Sequence, residues 1–142
     1  MTDAAYRAKQ ALQEYRQLEK RVQEKTERLA ALMASATRTT ASLDGERVSG
    51  TGERSRLEVA VITKVELEQQ LDKSIDEKNA RLHAIQNAID AMKDEREARL
   101  LELRYIDGRS WVNVMMKMEI GDTWSKTIHA SALEHFAEIY FE

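Results

Sequence analysis

Apolar residues recur every seven positions through the first part of the chain, and a second apolar series follows the first by three residues. The members of the two series are Tyr15, Val22, Leu29 and Ala36, and then Leu18 and Leu32. Most residues between them are Glu, Arg, Lys and Gln, which form helices readily. The pattern predicts one long helix from about residue 4 to 38, whose apolar stripe is interrupted by Lys25.

A second pattern of the same kind runs from about residue 55 to 92. Its apolar positions are Val61, Ile75, Leu82 and Ile89, and then Leu71, Ile85 and Met92, and its polar interruptions are Lys64, Glu68 and Lys78. The segment between the two patterns is rich in Thr and Ser and holds three of the five glycines, which predicts a loop at about 39–54. Two long stripes joined by a loop favour an antiparallel helical hairpin. The imperfect heptads leave open whether it supercoils regularly and whether it dimerises to complete its burial.

From residue 93 the pattern changes to three short helices. The Asp107-Gly108 pair is expected to end the first, because glycine commonly follows a helix C-terminus. Ser110 is a capping residue for a second helix from Trp111 to about Met118. After a break at 119–122, a last helix is predicted from about 123 to 140. Its expected buried stripe is Ile128, Ala132, Leu133 and Phe136.

Together these elements predict an all-α chain, with a helical hairpin at 1–92 and a helix-turn-helix at 93–142. In the latter, two helices brace the third so that its outer face can enter a DNA groove about 12 Å wide. The expected brace is Leu100, Leu103, Tyr105, Ile106, Trp111, Val114 and Met118 against Ile128, Leu133 and Phe136. The outer face would then present Thr123, Lys126, Thr127 and Ser131.

Composition narrows the class of protein. Charged residues make up 33% and aromatic residues 6%, which is typical of long helices, and no cysteine is present for a disulfide or a thiolate metal site. No apolar run is long enough for a signal peptide or a membrane span, so we expect a cytoplasmic protein. His83, His129 and His135 are too dispersed for a metal site. No nucleophile, base and orienting group converge, so we predict no enzyme activity and no cofactor.

The charge distribution opposes a DNA-binding role. The chain has a net charge of −3, and residues 101–142 hold four Lys or Arg against seven Asp or Glu. Basic residues supply most non-specific affinity for DNA. The acidic C-terminal third therefore favours a second hypothesis, a protein-interaction module that keeps the helix-turn-helix as a scaffold and contacts another protein without binding DNA.

The segment 100–118 resembles the start of the helix-turn-helix in sigma-factor region 4. It is most similar to phage late-gene regulators of the RinA/ArpU type and a related family of uncharacterised phage proteins. The matching residues are Leu101, Arg104, Tyr105, Ile106, Gly108, Ser110, Trp111 and Val114, followed by Ile128, His129, Ala132 and Leu133. Upstream, the loop residues Gly45, Arg47 and Val48 and the helix residues Leu67, Glu68 and Leu71 also fit that pattern.

The resemblance implies a phage or prophage transcription regulator that binds a promoter or operator in double-stranded DNA through its last helix. The resemblance also implies a bacterial host cell and contact with host RNA polymerase; under the second hypothesis, the protein partner is RNA polymerase or another phage protein. Because one small helix-turn-helix binds DNA weakly, we predict a homodimer or higher homo-oligomer. The predicted DNA contacts are Arg109, Thr123, Trp124, Lys126, Thr127, His129 and Ser131. His129 has an alternative role as a hydrogen-bonding residue at the base of the last helix.

The chain departs from the family's pattern at two places. The turn reads Glu119-Ile120-Gly121, and Lys126 is the sole basic residue of the recognition helix. Trp124 stands where a polar exposed residue is usual, so a shift of one residue in helix phase would bury it beside Ile128. A third hypothesis is a DNA-packaging recognition subunit, which would form a ring whose mass in solution identifies it.

Overall fold

The computed structural model describes the backbone of residues 1–43 and 51–142, and the side chains of residues 1–37 and 54–142. These residues form five α-helices and no strand, which confirms the all-α class. The helices are α1 (Asp3–Leu43), α2 (Thr51–Asp90), α3 (Glu95–Leu101), α4 (Trp111–Met118) and α5 (Asp122–Tyr140).

Both long helices reach into the segment that was predicted to be a loop. Helix α1 continues to Leu43 and α2 begins at Thr51, whereas the loop was expected at about 39–54. Thr and Ser weaken a helix only slightly, and the first strong breaker after residue 38 is Gly45. The loop residues Gly45, Arg47 and Val48 lie outside the described residues.

The described residues divide into two compact units, and the division differs from the predicted boundary at residue 92. The terminal unit comprises Met1–Glu19 and Lys78–Glu142, and the middle unit comprises Lys20–Glu77. The first part of α1 and the last part of α2 therefore belong to the same unit as α3, α4 and α5.

A single apolar core holds the terminal unit together. Its buried members from the long helices are Ala5, Ala8, Leu12, Tyr15, Ile85, Ala88, Ile89 and Met92. Those from the C-terminal helices are Leu100, Leu101, Leu103, Tyr105, Val114, Ile128, Ala132, Leu133, Phe136 and Ala137. The predicted stripe of α5 is thus confirmed. Trp111, Ile106 and Met118 pack against this core but are only partly buried. The brace uses the long helices as well, which the sequence pattern did not indicate.

A π-helical segment extends α3 from Glu102 to Ile106 and is closed by a glycine. The amide of Asp107 donates to the carbonyl of Glu102 at 2.9 Å, which is the wider spacing of a π-turn. Gly108 follows in the left-handed region at φ 71°, and the amide of Arg109 donates back to Leu103 at 3.0 Å. The predicted helix end at Asp107-Gly108 is therefore confirmed.

In the middle unit, the lysine that interrupts the apolar stripe of α1 forms a hydrogen bond with α2. The Lys25 ammonium donates to the hydroxyl of Ser74 at 2.6 Å, 49 residues away in sequence. In the terminal unit, Arg81 similarly contacts Glu14 at 3.1 Å. Within each unit, a segment of α1 thus contacts a segment of α2, as the two arms of a helical hairpin would.

Candidate nucleic-acid interface

A three-residue turn joins α4 to α5. The Ser110 hydroxyl accepts the amide of Asn113 at 3.2 Å and caps α4, as predicted. Helix α4 ends at Met118, and the next residue, Glu119, adopts the left-handed conformation at φ 57°. Gly121 is extended at φ −88° and precedes the first residue of α5. The residue of the turn in the left-handed conformation is therefore Glu119, and not the glycine at 121.

The first two turns of α5 leave four predicted contact residues uncovered. Thr123, Trp124, Lys126 and Thr127 are all exposed, with 48% of the Trp124 surface open to solvent. The buried residue between them is Ser125, whose hydroxyl donates to the Asp122 carbonyl at 2.7 Å. This internal hydrogen bond satisfies the hydroxyl of a buried residue. The phase that would bury Trp124 is therefore wrong.

Trp124 has a cation above its ring. The guanidinium of Arg96, on α3, lies 5.8 Å from the ring centroid. At that distance the positive charge is attracted by the electron-rich face of the indole. The exposed face of α5 consequently has a second basic group beside Lys126, contributed by another helix.

His129 is a core residue, and its predicted role as a phosphate contact needs correction. Only 8% of its surface is exposed, its Nε2 lies 2.8 Å from the Tyr105 hydroxyl, and its ring meets Trp111 edge-on at 4.7 Å. Burial, with the nearby charges of Lys9 and Arg104, lowers the pKa of His129 to about 4. The ring is therefore neutral at pH 7 and serves the alternative role at the base of α5.

Ser131 is also engaged inside the terminal unit. Its hydroxyl donates to Glu97 Oε1 at 2.6 Å, while the other oxygen of that carboxylate lies 2.6 Å from His135 Nδ1. Glu97 is only 6% exposed, so these two contacts compensate a buried carboxylate. The hydrogen bond to Glu97 raises the pKa of His135. Ser131 thus positions α5 on α3, and its hydroxyl is not directed outward as predicted.

Arg109 lies at the entry to α4 and not on α5. Its Nη1 donates to Asn113 Oδ1 at 2.9 Å, and its Nε lies 3.9 Å from an Asp107 carboxylate oxygen. Its carbonyl accepts from Arg104 Nη1 at 2.9 Å. About a third of the side chain remains exposed. Arg109 therefore lies outside α5, where the four exposed residues are, and its side chain has partners close to it in sequence.

Beside α5, the terminal unit contains an open groove of about 760 Å³ that the sequence did not predict. Its basic and amide side chains come from α1, the π-helical segment and α5. They are Lys9, Gln13, Arg16, Gln17, Arg104 and Lys126. The aromatic rings of Tyr105, Trp111 and His129 also line it. We call this feature the basic groove.

The basic groove has an excess of positive charge. Four of the residues that line it are Lys or Arg, and one, Asp122, is acidic. Asp122 lies 3.0 Å from Lys126 on the same helix, so that pair is locally balanced. Arg16 contacts Glu19 at 2.7 Å. The groove could not be predicted from the sequence, because Lys9 and Arg16 lie between 88 and 117 residues before Arg104 and Lys126 in the chain.

Comparison of the chain with protein-family models, with curated proteins and with solved structures finds no match. The resemblance to phage late-gene regulators therefore stays a prediction. Within the described residues, none of the helices has both the length and the hydropathy to cross a membrane. The same part of the chain contains no group of three His, Asp or Glu residues arranged to hold a metal ion.

Proposed function

We propose that this protein is a phage-type transcription regulator that binds double-stranded DNA through α5. The observation that carries the proposal is the exposed start of α5 on a well-packed base. Thr123, Trp124 and Thr127 are uncovered there, whereas Ile128, Leu133 and Phe136 anchor the other side. In helix-turn-helix proteins, it is the N-terminal part of the second helix that contacts base edges in the major groove.

The chemistry of this face suits base reading more than strong electrostatic attraction. Threonine hydroxyls exchange hydrogen bonds with base edges, and threonine methyl groups contact the thymine methyl. Lys126 is paired with Asp122, so its net attraction for phosphate is reduced. We therefore propose that a single copy binds weakly and that two copies act together on two half-sites.

The middle unit supports the self-association that this proposal requires. Val59, Val61, Ile62 and Val65 are exposed along α2, with 45–61% of each surface open to solvent. Side chains three or four residues apart are neighbours on the surface of a helix, so these four residues form one apolar patch. Contact with a second copy would remove this apolar surface from water and bring two reading helices onto one duplex.

Fluorescence anisotropy with duplexes selected from a randomised pool tests the proposal. We expect binding at low salt that weakens steeply as salt rises. Lys126→Ala should weaken binding to all sequences and lower the salt slope by about one, whereas Thr127→Ala should change which sequences are selected. Lys93→Ala removes an exposed lysine outside α5 and is the matched control. Absence of binding at low salt would overturn the proposal.

The second candidate function is a protein-interaction module, and the surface of α4 favours it. Val112 and Met116 are 64% and 72% exposed and are one helical turn apart. Exposed apolar residues next to a helix-turn-helix suit contact with a protein such as RNA polymerase. A Val112→Asp, Met116→Asp double variant that binds DNA normally but loses transcriptional effect would assign this surface to a protein partner within the regulator. The same loss in a protein that never binds DNA would favour the interaction module.

A further inference from the structure

Base reading by Thr123, Trp124 and Thr127 does not involve most of the basic groove, yet the fold brings the charged side chains of the groove together. Four of its side chains come from α1 at spacings of three and four residues, which place them on one side of that helix: Lys9, Gln13, Arg16 and Gln17. Arg104 comes from the π-helical segment and Lys126 from α5. Three separate parts of the chain thus supply cations to one concave surface.

Arg104 is held in place without a carboxylate partner among the described residues. Its guanidinium donates to the Arg109 carbonyl at 2.9 Å and lies 4.8 Å from the centroid of the Trp111 ring. Both contacts orient the guanidinium and leave its full charge uncompensated. An arginine fixed in this way loses less conformational freedom when it binds an anion.

Arg16 reaches the groove because residue 108 is glycine. A Cβ atom built on Gly108 would lie 2.5 Å from both terminal nitrogens of Arg16, so any larger residue would displace the guanidinium. The fold therefore uses the same glycine to end the π-helical segment and to admit Arg16. Arg16 contacts Glu19, but its side chain remains 39% exposed and has donors free for another acceptor.

The neighbouring histidine lies close enough to the groove for two of its cations to act on it. Lys9 and Arg104 both lower the pKa of His129, in addition to the larger effect of burial. Like charges gathered around a concave, partly enclosed surface repel one another. An anion that binds there relieves this repulsion, because low-dielectric walls strengthen its attraction to all of the cations.

We propose that the basic groove binds phosphate groups of the DNA backbone, beside the bases that α5 reads. The inference rests on the proposed function. Asp122, Ser125 and Lys126 of α5 line the groove, while Thr123, Trp124 and Thr127 occupy the adjacent exposed face of the same two turns. A phosphate in the groove would therefore flank the contacted base pairs and fix the register of α5 in the major groove.

The first arm of the test measures the salt dependence of DNA binding. The Lys9→Gln, Arg16→Gln double variant keeps polar side chains and removes two groove charges. Lys93→Gln, Arg99→Gln removes the same number of charges from exposed positions outside the groove. If two phosphate contacts are lost, the fourfold rise in salt from 50 to 200 mM should weaken the double variant about 12-fold less than the wild type. The control should retain the wild-type slope.

A rescue variant separates phosphate binding from a merely structural role. Arg16→Lys keeps the positive charge and should retain most of the salt slope, whereas Arg16→Gln should not. The selected base sequence should be the same for all groove variants, because phosphate contacts position the protein without reading sequence. Wild-type binding with an unchanged slope in the groove double variant would overturn the groove proposal and leave the regulator proposal intact.

The second arm tests a free phosphorylated ligand, with inorganic pyrophosphate as the probe. Nuclear magnetic resonance would follow the indole N–H signal of Trp111 during the titration, with Trp124 as the reference outside the groove. Weak binding that disappears in the groove double variant, together with DNA binding that depends on the groove, supports the proposal. Tight pyrophosphate binding without any DNA binding would show that the phosphate bound in the groove does not come from DNA. It would overturn the proposed function and assign the groove to a phosphorylated small molecule. If neither probe binds, the groove proposal is overturned altogether.

Discussion

The terminal unit and the middle unit share the same two long helices but bury their side chains very differently. In the terminal unit, Leu12, Ile85 and Phe136 are fully buried in one apolar core. In the middle unit, Ser74 is the one residue that is buried among those the structure describes, and it is still 8% exposed. Apolar residues there, such as Val61 and Ile62, are more than half exposed.

This difference shows that an apolar stripe does not by itself make a core. Both units carry the stripe that the seven-residue pattern predicts, but only the terminal unit contains α3, α4 and α5, whose apolar residues complete a core with it. Long helices gain most of their stability from packing of such a stripe, and not from helix propensity. We therefore expect the terminal unit to be the more stable of the two, and the middle unit to depend on contacts with another surface.

The largest expected effect is the contrast between a truncation in each unit. Phe136→Ala should lower the free energy of unfolding of the terminal unit by about 3–5 kcal/mol, because it leaves a cavity in a closed core. At protein concentrations low enough for the chain to be monomeric, Ile62→Ala in the middle unit should change stability by no more than about 0.5 kcal/mol, because its side chain is largely exposed. Both tryptophans belong to the terminal unit, so tryptophan fluorescence reports that unit alone during urea denaturation, while circular dichroism reports all helices.

Two results would change this comparison. Equal losses for the two variants would contradict the difference in packing. A large loss for Ile62→Ala that depends on protein concentration would instead show that a second copy covers the middle unit, since stability gained by association varies with concentration.

The next effect is a pH dependence confined to the terminal unit. The pKa of His129 is about 4 in the folded protein and 6.5 in the unfolded chain, so the unfolded chain takes up the proton first as pH falls. Stability from the neutral, buried ring is complete above pH 6.5 and is lost between pH 6.5 and 4. At about 1.4 kcal/mol for each unit of pKa difference, the loss is at most about 3 kcal/mol.

A second histidine separates this effect from general acid denaturation. Glu97 raises the pKa of His135, so the stability from that contact is complete below pH 6.5 and is lost as pH rises through the raised value. Urea denaturation followed by tryptophan fluorescence should show His129→Asn flattening the acidic side of the stability profile and His135→Asn the alkaline side. An unchanged acidic slope in His129→Asn would contradict the assignment of His129 as a buried neutral residue.

The smallest expected effect is that of a glutamate-to-glycine substitution, which should raise stability in the terminal unit and lower it in the middle unit. Glu119→Gly should stabilise the terminal unit by about 0.5–1 kcal/mol, because glycine adopts the left-handed conformation of this position without strain. Glu66→Gly, at an exposed position inside α2 of the middle unit, should destabilise its helix by about 1 kcal/mol. Thermal unfolding by circular dichroism measures both, and a loss of stability in Glu119→Gly would contradict the left-handed turn.

Local features of the chain could be predicted because each depends on residues close together in sequence. Ser110 caps the helix that follows it, and Gly108 ends the one before it. The buried stripe of α5 follows from a helical spacing of apolar residues that is visible without a structure. The ends of α1 and α2 were predicted less well, because Thr and Ser are compatible with both a helix and a loop.

The candidate interface could be predicted only in part. Thr123, Trp124, Lys126 and Thr127 are exposed as expected. His129 and Ser131 satisfy internal hydrogen bonds instead, because their partners Tyr105 and Glu97 lie on a helix packed against α5. Polar residues on a short amphipathic helix do not reveal which of them will face a polar partner inside the unit.

By itself, the sequence determined that this protein is helical, where its short helices begin and end, and which side of α5 is apolar. These properties follow from spacings of a few residues and from backbone preferences. Only the tertiary structure decided that the first part of α1 joins the C-terminal helices, that Lys9 and Arg16 meet Arg104 in one groove, and that Trp124 is exposed while His129 is buried. These outcomes depend on contacts between residues far apart in the chain, and such contacts arise from how whole helix surfaces pack.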